Sequence, residues 1–215
     1  MAYQKQLAIM AATLILSLAI VAQQASAWWL FSSEQQKPTS VPETVANYSA
    51  RQEQEMRAIA QFDLDGVKGA FKFSQKSPQE PTRVEYDLRG LKGNNRLYHV
   101  HVRPVPEHNH EQAKRNSTLI GQLCSDPTTG GHLNPFKITQ KLPPKSAPFD
   151  RYELGDLSGK HGPLLELAGH PDHYVGGYTD DRLPMFGEHS IVGRSIVIHK
   201  NDGTRWVCAT IVPGY

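Results

Sequence analysis

The feature that most constrains the fold is a change of rhythm at Met56. Residues 28–55 are polar and poor in aliphatics after Trp28-Trp29-Leu30-Phe31, and read as an N-terminal arm or linker. From Met56 onward apolar and polar side chains alternate with period two. Ala58 to Phe62, Val67 to Phe73 and Arg83 to Leu88 read as strands, separated by Asp65-Gly66 and the Pro78–Pro81 stretch. Leu97 to Val105 reads as a fourth strand. Ser195 to Lys200 and Arg205 to Val212 read as a hairpin around Asn201-Asp202-Gly203. Between Pro104 and Met185 the chain is rich in Gly, Pro, His and Asp, with little periodicity. The pattern predicts an antiparallel barrel or sandwich over residues 56–215, with long functional loops.

The first 27 residues have another purpose. Lys5 is a basic start, Leu7 to Ala22 is almost purely apolar, and Ala25-Ser26-Ala27 fits a small-residue cleavage site. This is the pattern of a secretory signal peptide cleaved after Ala27, with no stable membrane insertion afterwards. Secretion puts Cys124 and Cys208, the only two cysteines, where thiols oxidise. Asn47 and Asn116 head glycosylation sequons. With 23 basic and 21 acidic residues, the charge balance gives no support to nucleic-acid binding.

Ten histidines against two cysteines point to imidazole chemistry. His99 and His101 lie two apart on a strand, on the face opposite Tyr98, Val100 and Val102. If the apolar face fills the barrel, both histidines point out of it. His199 likewise lies opposite Ile196 and Ile198. Two strands that each set histidine against an aliphatic face suggest a metal site; imidazole alone does not choose among copper, zinc, iron and nickel. His132 sits in a loop after Gly130-Gly131 and before Asn134-Pro135, from which it can point back at the strand. Of the others, His189 reads as stitching backbone at the core edge and His161 as a loop hydrogen-bonder. His108 and His110 read as exposed loop residues. His170 and His173, with Asp172, form a weak candidate for a second metal.

Taken together, His99-Val100-His101, Cys124 through Gly131-His132-Leu133-Asn134-Pro135, Gly155-Asp156-Leu157, His189 to Arg194, Ser195 to His199 and Arg205-Trp206-Val207-Cys208 resemble the copper/zinc superoxide dismutase family, in family order. The resemblance implies an eight-stranded antiparallel Greek-key barrel. It implies copper on His99, His101, His132 and His199, a Cys124–Cys208 disulfide, and Arg205 beside the copper to attract anionic superoxide. It also implies Cu(II)/Cu(I) cycling that turns two superoxide ions into dioxygen and hydrogen peroxide. A non-catalytic extracellular copper-binding module on the same barrel is the alternative.

Two departures stand out. Residues 133–152 contain no histidine, and Glu153 stands where the last zinc-binding histidine belongs. His132, Glu153 and Asp156 make a depleted set for a closed zinc site, so zinc is not expected. The long charged loop between the last copper histidine and the arginine is reduced to a tight turn between His199 and Arg205. Both departures resemble the secreted copper-only superoxide dismutases. In that group the glutamate hydrogen-bonds the histidine that would otherwise bridge to zinc, and the aspartate supports it. Asp156 also has a plain reading as a loop-capping residue.

Overall fold

The computed structural model describes residues 55–93, 96–139 and 147–214. The proposed leader, the arm as far as residue 54 and Asn47 lie outside these. Seven antiparallel strands form one sheet: β1 Met56–Leu64, β2 Val67–Gln75, β3 Thr82–Arg89, β4 Tyr98–His101, β5 His173–Asp180, β6 Ser195–His199 and β7 Arg205–Pro213. Their order across the sheet is β4-β6-β7-β1-β2-β3-β5, so the β3–β4 and β5–β6 connections each cross from one side to the other.

The sheet curls on itself because its inward residues are large and apolar. Phe71 packs against Tyr86 and Tyr98, each at 5.4 Å between ring centres, and against Phe62 at 6.1 Å. Phe71 is fully buried, and cutting it to Ala would cost about 3–5 kcal/mol. The two outermost strands face one another across the interior, where the Tyr98 and Tyr178 hydroxyls stand 3.2 Å apart. The first hairpin turns at Asp65-Gly66, whose φ values of 51° and 80° suit a tight two-residue turn.

The strand count is seven among the described residues, not eight. The missing strand shrinks to a single bridge between Arg96 and Leu164. Gly162 and Pro163 stand just before Leu164, and proline has no N–H to offer a ladder. The region from Pro104 to Met185 is also more structured than its lack of periodicity suggests. It carries α1 Glu107–Arg115, α2 Ser117–Leu123, α3 Asp126–Thr129, a 3-10 turn Phe149–Arg151, α4 Leu157–His161 and the whole of β5. Strand β5 hides behind Gly176-Gly177. A side chain at Gly176 would strike the Tyr86 ring, so the residue there is set by packing rather than by strand preference.

Strand β4 is shorter than expected, because Val102 and Arg103 leave β6 and donate to Gly131 O and Thr129 O. On its free edge, Val100 N donates to Gly155 O and Val100 O accepts from Leu133 N, while Gly155 N donates to Leu133 O. This three-way backbone clasp brings the loops of His132 and Glu153 together. It also needs glycine at 155, where a Cβ would collide with Val100 O. All residues of β4 and β6 are buried on both faces, so the histidine face is a second interior rather than a surface.

Candidate metal centre

His99 and His101 project from β4 on the side away from Tyr98 and Val100, as the alternation predicts. His199 ends β6 at an irregularity in its pairing with β7. His132 forms an isolated bridge with His101. The structure therefore brings all of these predicted residues together. One ring nitrogen from each of His99, His101, His132 and His199 lies within 4.8 Å of the others. Among the described residues this is the one such grouping of metal-binding side chains.

The outward nitrogens explain the inward ones. His101 Nδ1 donates to Gly130 O at 2.8 Å, and His199 Nδ1 to Gly203 O at 3.0 Å. A carbonyl only accepts, so each ring carries its proton on Nδ1 and keeps a lone pair on Nε2. His132 Nδ1 meets Glu153 Oε2 at 2.6 Å. His99 Nε2 lies 3.0 Å from Ser158 Oγ and 3.4 Å from Asp156 Oδ1. That leaves His99 Nδ1 and the Nε2 atoms of His101, His132 and His199 to converge. His101 Nε2 is buried with no hydrogen-bond partner. A buried lone pair without a partner is costly, and a metal ion at the convergence satisfies it. Four imidazoles suit copper.

Burial also keeps His99, His101 and His199 neutral. It pushes His101 down to about 3 and His199 down to about 4, and it lowers His99 despite the opposing carboxylate of Asp156. Burial would raise Asp156, but the His99 ring and the Gly159 N–H outweigh it, and the carboxyl lies below its usual range.

The supporting residues depart from expectation in detail. Asp156 does not back His132: it sits against His99 and caps α4 through Gly159 N at 2.7 Å. Glu153 takes the predicted place beside His132, and Asn134 Nδ2 holds its other oxygen at 3.0 Å. The contact of Ser158 with His99 has no signal in the sequence, where it is one serine in a Gly-rich loop. Arg205 donates to Cys124 O, Thr129 Oγ1, Gly130 O and Asp126 Oδ1. Burial does most to lower His101, and the Arg205 charge adds to it. Cys124 and Cys208 form a disulfide that ties the end of α2 to β7.

The other histidines lie away from this cluster. His161 lies in α4, not a loop; it bonds Asp180 and stacks on Tyr178 at 3.7 Å. His189 meets the edge of Phe136 at 5.5 Å. His108 and His110 are on α1, not in a loop. His173 pairs with Asp87, and the His170 and His173 rings stand 6.4 Å apart. Asn116 is exposed and its side chain caps α2.

The comparisons with known proteins agree with this geometry. The profile of the copper/zinc superoxide dismutase family matches residues 67–208. The cell surface Cu-only superoxide dismutase 5 of Candida albicans is 34% identical over 161 residues, covering 71% of this chain and 59% of that protein. The chain thus spans less than two thirds of that relative's length. The Cu-Zn superoxide dismutase of Saccharomyces cerevisiae is 31% identical over 147 residues, covering 67% of this chain and 78% of that one. A solved structure of Candida albicans superoxide dismutase 5 with Cu(II) superposes with a TM-score of 0.55 at 29% identity, covering 75% of this chain and 94% of that one. The chain belongs to the copper/zinc superoxide dismutase family.

Proposed function

We propose that this chain is a secreted, copper-only superoxide dismutase that converts two superoxide ions and two protons into dioxygen and hydrogen peroxide. The observation that carries the reading is the set of converging imidazole nitrogens, each on a ring whose far nitrogen is already engaged. His99 Nδ1 and the Nε2 atoms of His101, His132 and His199 would hold the metal. Bound copper would supply the one-electron oxidation and reduction that the reaction needs.

The protein's own residues do the rest. Arg205 attracts the anion, its planar donors suiting a small charged substrate. Glu153 orients the His132 ring through Nδ1. With Nδ1 held by Glu153, Nε2 is the His132 atom placed to pass a proton to reduced substrate. Asp156 and Ser158 fix the His99 ring from behind. Glu153 and Asp156 thus act on ligands rather than as a zinc site.

Residues 1–27 would be the leader, 28–55 an arm and 56–215 the copper-binding barrel, with Asn47 and Asn116 as glycosylation candidates. The cell surface location of relatives in Candida albicans supports an extracellular site of action. A non-catalytic copper module is the competing reading. The placement of Arg205 near His101 favours the enzyme, because metal storage needs no cation at the site.

The test offers copper and zinc together to the secreted protein, then measures metal content and dismutation. One copper per chain, no stoichiometric zinc and rapid dismutation are expected. One tightly held zinc per chain would refute the copper-only assignment. Full copper without dismutation would leave the module.

A further inference from the structure

Arg205 has more partners than its position requires. Neutral acceptors already hold the guanidinium: Cys124 O at 3.3 Å and Thr129 Oγ1 at 3.0 Å on Nη1, and Gly130 O at 2.8 Å on Nη2. The remaining partner is a charge, Asp126 Oδ1, 3.0 Å from Nη2. The Asp126 side chain is 74% exposed and that of Arg205 is 21% exposed. An ion pair so open to water contributes little to stability. Nor does the segment need the carboxylate to hold its shape. Arg103 Nη2 donates to Asp126 O at 2.8 Å and Pro127 O at 2.9 Å, and its Nε donates to Thr128 O at 2.8 Å. What the carboxylate does change is the field. It occupies donor capacity of the same guanidinium that would receive an incoming anion, and its charge opposes that anion's approach.

We propose that Asp126 is a charge-damping residue that weakens the attraction of Arg205 for small anions and so sets how readily superoxide is captured. The proposal rests on the reading of Arg205 as the anion-attracting residue. It predicts that removing the charge while keeping the shape makes the site bind anions more tightly. Asp126→Asn is that change, since its amide oxygen still accepts from Nη2.

The experiment titrates azide, a small anion, into the copper-loaded full chain at low ionic strength and follows the optical spectrum. Wild type, Asp126→Asn, Asp126→Ala and Arg205→Ala are compared, with thermal melting to verify folding. Loss of one charge at this range should tighten azide binding in both Asp126 variants roughly two- to fourfold, with the gain fading at high salt. The superoxide rate constant should rise by a similar factor, and Arg205→Ala should bind azide more weakly than wild type. Unchanged azide affinity in both Asp126 variants would overturn the proposal. So would weaker binding in Asp126→Ala, because Asp126 would then be orienting Arg205. A wild type that binds azide yet fails to dismutate superoxide would defeat the proposed function, while the azide comparison still decides the role of Asp126.

Discussion

The site has two unlike halves. His99, His101 and His199 come from the strand framework and are buried, at 7%, 0% and 7% exposure. The outward nitrogens of His101 and His199 are tied to backbone carbonyls and that of His99 to Ser158 and Asp156, and burial holds all three rings neutral. His132 comes from a loop, its side chain is 31% exposed, and its outward partner is the carboxylate of Glu153. A backbone carbonyl fixes a tautomer, and burial outweighs its pull toward a charged ring. The strand half is therefore built to hold a metal among buried neutral rings, and the loop half sets its ligand against a partly exposed carboxylate.

Breaking the strand half should have the largest effect. His101→Ala removes a converging nitrogen and one of the two donors to Gly130 O, which keeps Arg205 Nη2. Copper content should fall well below one per chain and activity should vanish with it, as metal analysis and a dismutation assay would reveal. Full copper occupancy in this variant would remove His101 from the ligand set.

Loosening the join between the halves comes next. The Cys124–Cys208 disulfide spans 84 residues and anchors the segment leading to His132 onto β7. Loop-closure entropy puts its contribution at roughly 4–5 kcal/mol. Cys208→Ser should lower the midpoint of urea unfolding accordingly and release copper more readily. A variant as stable as wild type would mean that backbone contacts alone hold the loop.

Acid probes the strand half. In the folded protein burial holds His101 at about 3 and His199 at about 4, both below the ordinary 6.5. The unfolded chain therefore binds more protons than the folded one in this range. These rings contribute stability that is complete above the ordinary value and lost as pH falls toward the two lowered ones. Metal-free protein should show a denaturation midpoint that drops steadily on acidification from neutrality, and His199→Gln should flatten the drop. A midpoint that stays constant from neutral pH down to the His199 value would contradict the neutral, buried description.

How far these halves are legible in the sequence follows from the same physics. Period two in β4 and β6 is enough to place His99, His101 and His199 opposite their aliphatic neighbours. The glycine loop makes His132 a candidate and secretion makes Cys124 and Cys208 candidates for pairing; family resemblance supplies the ligand role, the disulfide and Glu153. The helices between Glu107 and Leu123, strand β5 and the bridge at Leu164 are not legible, because tertiary packing selects them. Gly176 yields to Tyr86, and Leu164 pairs with Arg96 from a distant stretch of chain. Ser158 and the turn of Asp156 toward His99 depend on where α4 docks, which no local pattern encodes.

Glu153→Gln should be the gentlest change and tests the division most directly. It keeps size and a hydrogen-bonding side chain but removes the negative charge that faces His132 Nδ1. Copper content should stay near one per chain, while the dismutation rate drops by up to about a hundredfold, the low end of what a lost proton-transfer aid costs. A variant with full copper and the wild-type rate from mildly acidic to mildly alkaline pH would contradict the account, and outright loss of copper would make Glu153 a ligand.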